Sequence, residues 1–231
     1  MRRFLAALTF LTVIPAPGFV ATEQDIEGCK PAIPLVGLLA GALAAVAAWL
    51  LLQAFPQTVA AVALVLLMEG LSKGFHLDGL ADTADGFLSS RPRERVLEIM
   101  HDSHVGAMGA LAIFAALGLR TAAFQAVPAL ALPLVAGLCA LGGRCLMPLH
   151  IQTSRYARES GLGGIMFRRR SWLVCLWSAG VWLAAAWFAL GWAGLAAAAA
   201  LLVLPFAWSG YTRLKIGGAT GDTIGACEEL A

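Results

Sequence analysis

From Ile33 to Phe55 no charged side chain appears, and five further stretches are mostly apolar, with one charged residue in each of the first three: Thr58–Leu71, Val105–Val127, Ala129–Leu149, Trp172–Leu190 and Gly191–Trp208. A helix crossing a bilayer needs roughly 20 mostly apolar residues. The pattern predicts an all-α, polytopic membrane bundle of about six spans, read as one integral-membrane catalytic domain over residues 1–231. The first stretch, MRRFLAALTFLTVIPAPG, has a charged start, a short apolar run and a small-residue exit. Two readings stay open for it: a cleaved secretory leader, or a retained apolar segment at the membrane interface. RPRERVLEIMHDSHVGAMG (91–109) reads as an amphipathic helix on the membrane surface ahead of the next span.

Composition agrees. The 231-residue chain is 60% hydrophobic and 13% charged, with a mean hydropathy of +0.80, which excludes an ordinary soluble domain. A net charge of +2 says little about partners. The five cysteines show no C-x-x-C pair or zinc spacing, so they read as small buried residues without a disulfide.

The placement of charge adds more than its amount. The links around Ala54–Gln57, Pro128 and Gly191 carry none. The segments Ala21–Ala32, Ser72–His104, His150–Ser171 and Ser209–Ala231 hold most of the Lys and Arg. Short basic loops stay in the cytoplasm, so six spans would put all four segments, and both termini, on that side. The carboxylates, Glu159 among them, follow the same segments. A transporter more often carries ionisable groups near the midplane. One equipped face favours an enzyme at the inner surface of a cytoplasmic membrane; a transporter with a cytoplasmic cation site is the alternative. Gly37 and Gly41, four apart, read as helix-packing positions.

On that face GFHLDGLADTADGF (74–87) spaces Asp78, Asp82 and Asp85 at i, i+4, i+7, one side of a helix. Like charges so placed repel, and a divalent cation reverses the sign; hard oxygen ligands suit Mg²⁺ or Mn²⁺. The bland reading is a solvated acidic loop whose aspartates cap helices. Asp102 is a candidate fourth ligand, flanked by His101 and His104, either of them a general base, a phosphate contact or a surface residue. Zinc at His76, His101 and His104 is a weaker option. Arg155 and Arg158 are candidate phosphate contacts, while Arg168–Arg170 read as an anchor for anionic lipid. KIGGATGDTIGA (215–226) offers backbone N–H groups at Gly217, Gly218 and Gly221, with Asp222 and Thr223 as cap or metal contact; it is not a nucleotide P-loop. Arg144, inside a span, is positioned to reach the acidic site from below, whereas Arg120 reads as snorkelling toward the opposite interface. Carboxylates, arginines and glycines on one face are the parts of phosphoryl transfer.

Together FLTVIPAP, GFHLDGLADTADG, RERVLEIMHDSHVGAMG, RYARESGLGG and GGATGDTIGA resemble the cobalamin synthase (adenosylcobinamide-GDP ribazoletransferase) family, in order along the whole chain. The resemblance implies a multi-pass inner-membrane enzyme that uses Mg²⁺. It joins adenosylcobinamide-GDP to α-ribazole or its 5′-phosphate and releases GMP, in the final assembly of adenosylcobalamin. The family's acidic motif falls on Asp78, Asp82 and Asp85; as a mechanistic hypothesis separate from the resemblance, Asp78, Asp82 and His104 are the candidate catalytic groups. It also implies that the N-terminal apolar segment is retained, and that a final apolar segment follows GDTIGACEEL, which this chain, ending at Ala231, does not carry. The bilayer is an expected partner, nucleic acid is not, and a homo-oligomer stays open. A membrane scaffold docking other corrinoid enzymes is a third class.

Overall fold

A computed structural model describes residues 1–158 and 161–231; Glu159 lies outside the described residues. The elements are α1 (Arg2–Leu11), α2 (Glu23–Glu27), a 3-10 turn (Lys30–Ala32), α3 (Ile33–Ala54), α4 (Gln57–Leu71), α5 (Phe75–Phe87), α6 (Arg93–Ile99), α7 (Ala107–Ala126), α8 (Leu132–Thr153), α9 (Leu162–Met166), α10 (Trp172–Leu201), α11 (Leu204–Ile216) and α12 (Gly221–Glu229). Among the described residues there is no strand, only an isolated parallel bridge between Tyr156 and Ala219.

Helices α3 and α8 form the centre. A Cβ at Gly41 would lie 2.6 Å from the Gly137 carbonyl oxygen, so only glycine permits this approach. Ala40, Ala44, Ala48, Ala136 and Ala140 continue the seam beside Leu64 and Phe124. Helix α1 is a packed part of the bundle: Ala6, Ala7, Leu8 and Leu11 are buried with Ile33, Val36 and Met147. Arg2 at its start pairs with Asp25 of α2 at 2.7 Å.

The chain bends by 90° between α4 and α5. Lys73 and Gly74 take left-handed conformations there (φ 61 and 65°), and the Gly74 N–H closes α4 on the Glu69 carbonyl at 2.9 Å. Helix α5 therefore runs crosswise to α4, which turns its aspartates away from the apolar run that precedes them.

Two expectations meet a different geometry. The amphipathic helix is helical only over Arg93–Ile99, where Val96 and then Met100 bury against Gly86. Residues 101–106 leave the helix, and α7 starts afresh at Ala107. Four stretches are long and apolar enough to cross a membrane, or five if the bent α4–α5 pair is one span. The count of six treats Trp172–Leu190 and Gly191–Trp208 as separate. The structure carries both within Trp172–Ile216, broken at Gly191 (φ 59°, ψ −141°). The break falls at Gly191, where the sequence pattern divides the two stretches, and it is made by backbone conformation alone, with no polar loop. The Gly194 backbone packs directly on the Ala186 carbonyl, and the Trp187 and Trp192 rings meet edge-on at 4.5 Å across the bend.

Candidate active site

Two glycines bring α12 onto α5. A Cβ on Gly79 would lie 2.7 Å from the Asp222 carbonyl oxygen, and one on Gly225 would lie 3.1 Å from His76 backbone atoms. The start of α12 is held by a reciprocal cap. Thr220 Oγ1 accepts from the Thr223 N–H at 3.3 Å, and Thr223 Oγ1 accepts from the Thr220 N–H at 2.9 Å. The bridge places the 155–158 segment beside this cap: the Ala219 N–H donates to the Arg155 carbonyl at 2.7 Å, and the Ala157 N–H to the Ala219 carbonyl at 2.9 Å. Thus Gly79 of the acidic motif and Gly225 of the C-terminal glycine motif do the same job from opposite helices.

The product is a carboxylate group drawn from two motifs. Asp222 accepts from Arg158 Nη2 at 3.0 Å and from Thr220 Oγ1 at 3.1 Å. Asp82 lies in the field of the carboxylates of Asp78, Asp222 and Asp85, opposed by the Arg158 guanidinium. Burial first, then the negative charges of Asp78 and Asp222, push the Asp82 carboxyl up to about 7. Burial also raises Asp222, eased by Arg158 and Thr220. Asp82 and Asp222 share Arg158 while Asp78 adds a negative charge beside both, so negative charge is in excess there.

The other sequence candidates take separate places. Asp85 caps α7: its two oxygens accept from the Gly106 and Gly109 N–H groups at 2.7 and 2.8 Å. Asp102 takes a different partner. It pairs with His104 Nδ1 at 2.6 Å on an exposed turn, where the imidazole is 90% exposed, and that hydrogen bond lowers its pKa. Arg158 also donates to the Met100 carbonyl at 3.2 Å, which ties α6 to the site. Thr223 turns its hydroxyl inward, to the Thr220 carbonyl at 3.1 Å and His150 at 3.4 Å. Gly221 is the first residue of α12. Arg155, Gly217 and Gly218 line a different cavity, of about 250 Å³. The zinc option fails on placement: His76 is fully buried, while His101 and His104 lie exposed on the turn after α6.

Both intramembrane arginines depart from their expected courses. Arg120 does not snorkel outward; it pairs with Glu69 of α4 at 2.5 Å and with Glu229 of α12 at 2.8 Å. Arg144 pairs with Glu228 of α12 instead of the α5 aspartates, and donates to the Ala140 carbonyl at 3.2 Å. Glu228 also meets His76 Nδ1 at 3.1 Å. A buried guanidinium in an apolar surround is drawn to the nearest buried carboxylate, and α12 supplies two. Sequence reasoning placed Glu228 and Glu229 on the polar face; nothing in their neighbours signals that they fold inward. His76, Glu228 and Glu229 are, among the described residues, the one trio of such side chains with ligand atoms within 4.8 Å of one another. Each of its carboxylates is ion-paired with an arginine, Glu228 with Arg144 and Glu229 with Arg120, and ion pairing accounts for their closeness. Asp78, Asp82 and Asp222 are less tightly gathered, but among the described residues only Asp222 of the three is ion-paired with an arginine, Arg158, which makes them the better donor set for a hard cation.

The chain matches the family model CobS, cobalamin-5-phosphate synthase, over residues 3–231. It is 39% identical over 236 residues to a protein of Klebsiella pneumoniae subsp. pneumoniae named adenosylcobinamide-GDP ribazoletransferase, covering 100% of this chain and 96% of that one. A relative of the same name from Acetivibrio thermocellus is 35% identical over 232 residues, covering 100% and 94%. One from Escherichia coli O17:K52:H18 is 39% identical over 238 residues, covering 98% and 94%. No solved structure matches the chain. With the motifs in order and the match running nearly end to end, this protein belongs to the cobalamin-5-phosphate synthase family.

Proposed function

We propose that the protein is a Mg²⁺-dependent transferase that joins adenosylcobinamide-GDP to α-ribazole or its 5′-phosphate and releases GMP. The observation that carries the reading is the meeting of Asp222 with Asp78 and Asp82, an under-neutralised carboxylate set of the kind that binds a divalent cation together with substrate phosphates. The named activity of the relatives supplies the substrates. Asp78, Asp82 and Asp222 would hold the metal, which when bound neutralises diphosphate charge and favours GMP as leaving group.

The chain's own residues do the rest. Arg158 holds Asp222 in place while its charge faces the same space. Asp85 fixes the start of α7 to α5, so the turn bearing Asp102 and His104 is anchored beside the site. A free ribose hydroxyl of the acceptor, other than the 5′ position that carries the phosphate in the 5′-phosphate form, attacks the phosphorus attached to cobinamide, the bond to the GMP oxygen breaks, and the hydroxyl proton passes to a carboxylate or to His104. We place the site on the cytoplasmic side of the inner membrane, because the basic segments and these carboxylates share one face.

The test is direct. Protein in detergent with adenosylcobinamide-GDP, acceptor and MgCl₂ should yield GMP and a cobamide of the joined mass. Asp78→Ala or Asp82→Ala should lower turnover about 100-fold or more, the usual scale for removing a group that stabilises transition-state charge. Near-normal turnover in a folded Asp82→Ala protein removes the metal role. Substrate uptake into sealed vesicles without GMP would make the protein a transporter.

A further inference from the structure

Arg155 and Arg158 lie three apart on an extended segment, so their side chains leave opposite faces. Arg158 goes to Asp222. Arg155 goes to the cavity of about 250 Å³, with Arg213, Gly217, Gly218, Thr153 and Ser154 on its wall. Polar surface is plentiful there, and both arginines are exposed with no ion pair or hydrogen bond among the described residues.

Two further guanidiniums flank the same crossing and spend their donors on carbonyls. Arg93 donates to the Ile216 and Ala157 carbonyls at 2.7 and 3.1 Å, and Arg170 to the Ser154 and Gln152 carbonyls at 2.5 and 3.3 Å. A carbonyl does not cancel a positive charge. The nearest acid to Arg93 is the exposed Glu94, at 3.9 Å, which neutralises little. Gly217 (φ 78°) leaves backbone exposed at the rim, while Gly218 is buried against the Arg155 carbonyl and lets the two segments pack closely. Positive charge, free bidentate donors and open backbone on a small polar cavity are the chemistry of a phosphate oxyanion site.

We propose that this cavity is a second phosphate-binding site, separate from the aspartates, and that it takes the phosphate monoester of the acceptor nucleotide. The choice of acceptor rests on the transferase reading above; phosphate binding itself does not. A lipid headgroup phosphate has the same chemistry and is the competing source.

The experiment uses the full chain in phosphatidylcholine nanodiscs, with inorganic phosphate titrated by calorimetry. Arg155→Gln and Arg213→Gln, both at exposed positions, should each weaken phosphate binding about tenfold or more, the scale of a lost charge-assisted hydrogen bond. Arg168→Gln, which breaks only an exposed pair with Glu23, should leave it unchanged. In turnover, Arg213→Gln should raise KM for α-ribazole 5′-phosphate about tenfold and leave KM for α-ribazole unaltered. Equal phosphate binding by wild type and both variants overturns the site. Displacement of phosphate by phosphatidylglycerol, with the two KM values moving together, overturns the nucleotide assignment in favour of lipid. Loss of phosphate binding in the variants of a protein that makes no GMP would sustain the site and remove the transferase reading.

Discussion

Asp82 shows what single residues contribute. Its carboxyl is raised to about 7 by burial and by Asp78 and Asp222, above the ordinary value near 3.9. A raised acid binds a proton more tightly in the folded state, so its ionisation opposes folding. The penalty is absent below the unfolded pKa, grows between about pH 4 and 7, and is fully present above that. Asp82→Asn should therefore melt higher than wild type at pH 8 in EDTA, by about 2–4 °C for a chain of this size. The difference should vanish near pH 4 and shrink when MgCl₂ is added to wild type. A melting temperature unaffected by the substitution at every pH would remove the repulsion argument. Asp78 and Asp82 were legible as candidates because carboxylates are scarce in this chain. Asp85 shared their spacing, but its oxygens close the N-terminus of α7, a partnership 21 and 24 residues away that periodicity on α5 cannot reveal.

At the scale of elements, the α5–α12 crossing carries the site. That Gly79 and Gly225 meet the opposite helix was not readable from the sequence, because the partners lie far apart in the chain. The crossing predicts that Gly79→Ala pushes α12 off α5. The obstacle is the Asp222 backbone oxygen, 2.7 Å from the added carbon, and backbone cannot rotate aside as a side chain can. The expected cost is about 1–3 kcal/mol in thermal or denaturant unfolding, with a larger loss of activity because Asp222 moves with its helix. Gly70→Ala, where an added carbon meets nothing within 4 Å, should leave both stability and activity near wild type. The shortened α6 has a similar lesson. Its apolar pattern continued past Met100, but the backbone turned out to follow Asp102 and His104 into a turn.

At the scale of the molecule, a buried ionic network joins five helices: Glu69 on α4, His76 on α5, Arg120 on α7, Arg144 on α8, and Glu228 with Glu229 on α12. It fastens the far end of α12 while the crossing with α5 holds its near end. Removing one partner of such a pair leaves a buried charge alone, at about 3–5 kcal/mol, whereas replacing both by apolar residues of similar volume is often tolerated. Glu228→Gln should thus destabilise strongly. The double change Arg144→Met with Glu228→Leu should recover most of the loss. Cys227, fully buried on the same helix, reports the docking: it should react with a maleimide in Glu228→Gln and stay protected in wild type, read by peptide mass. Equal protection in both would show that the network does not hold α12.

The membrane character, the helical class, the family and the acidic motif all followed from the order of residues. They depend on local quantities: hydropathy over one span, the spacing of carboxylates on one helix turn, and short motifs in sequence. Folding decided which carboxylates face one another. Asp222 joined Asp78 and Asp82, Asp85 and Asp102 went to other partners, and Arg120 and Arg144 turned inward to Glu229 and Glu228. Opposite charges in an apolar bundle pair wherever packing brings them together, and packing here is set by glycine contacts between helices distant in the chain.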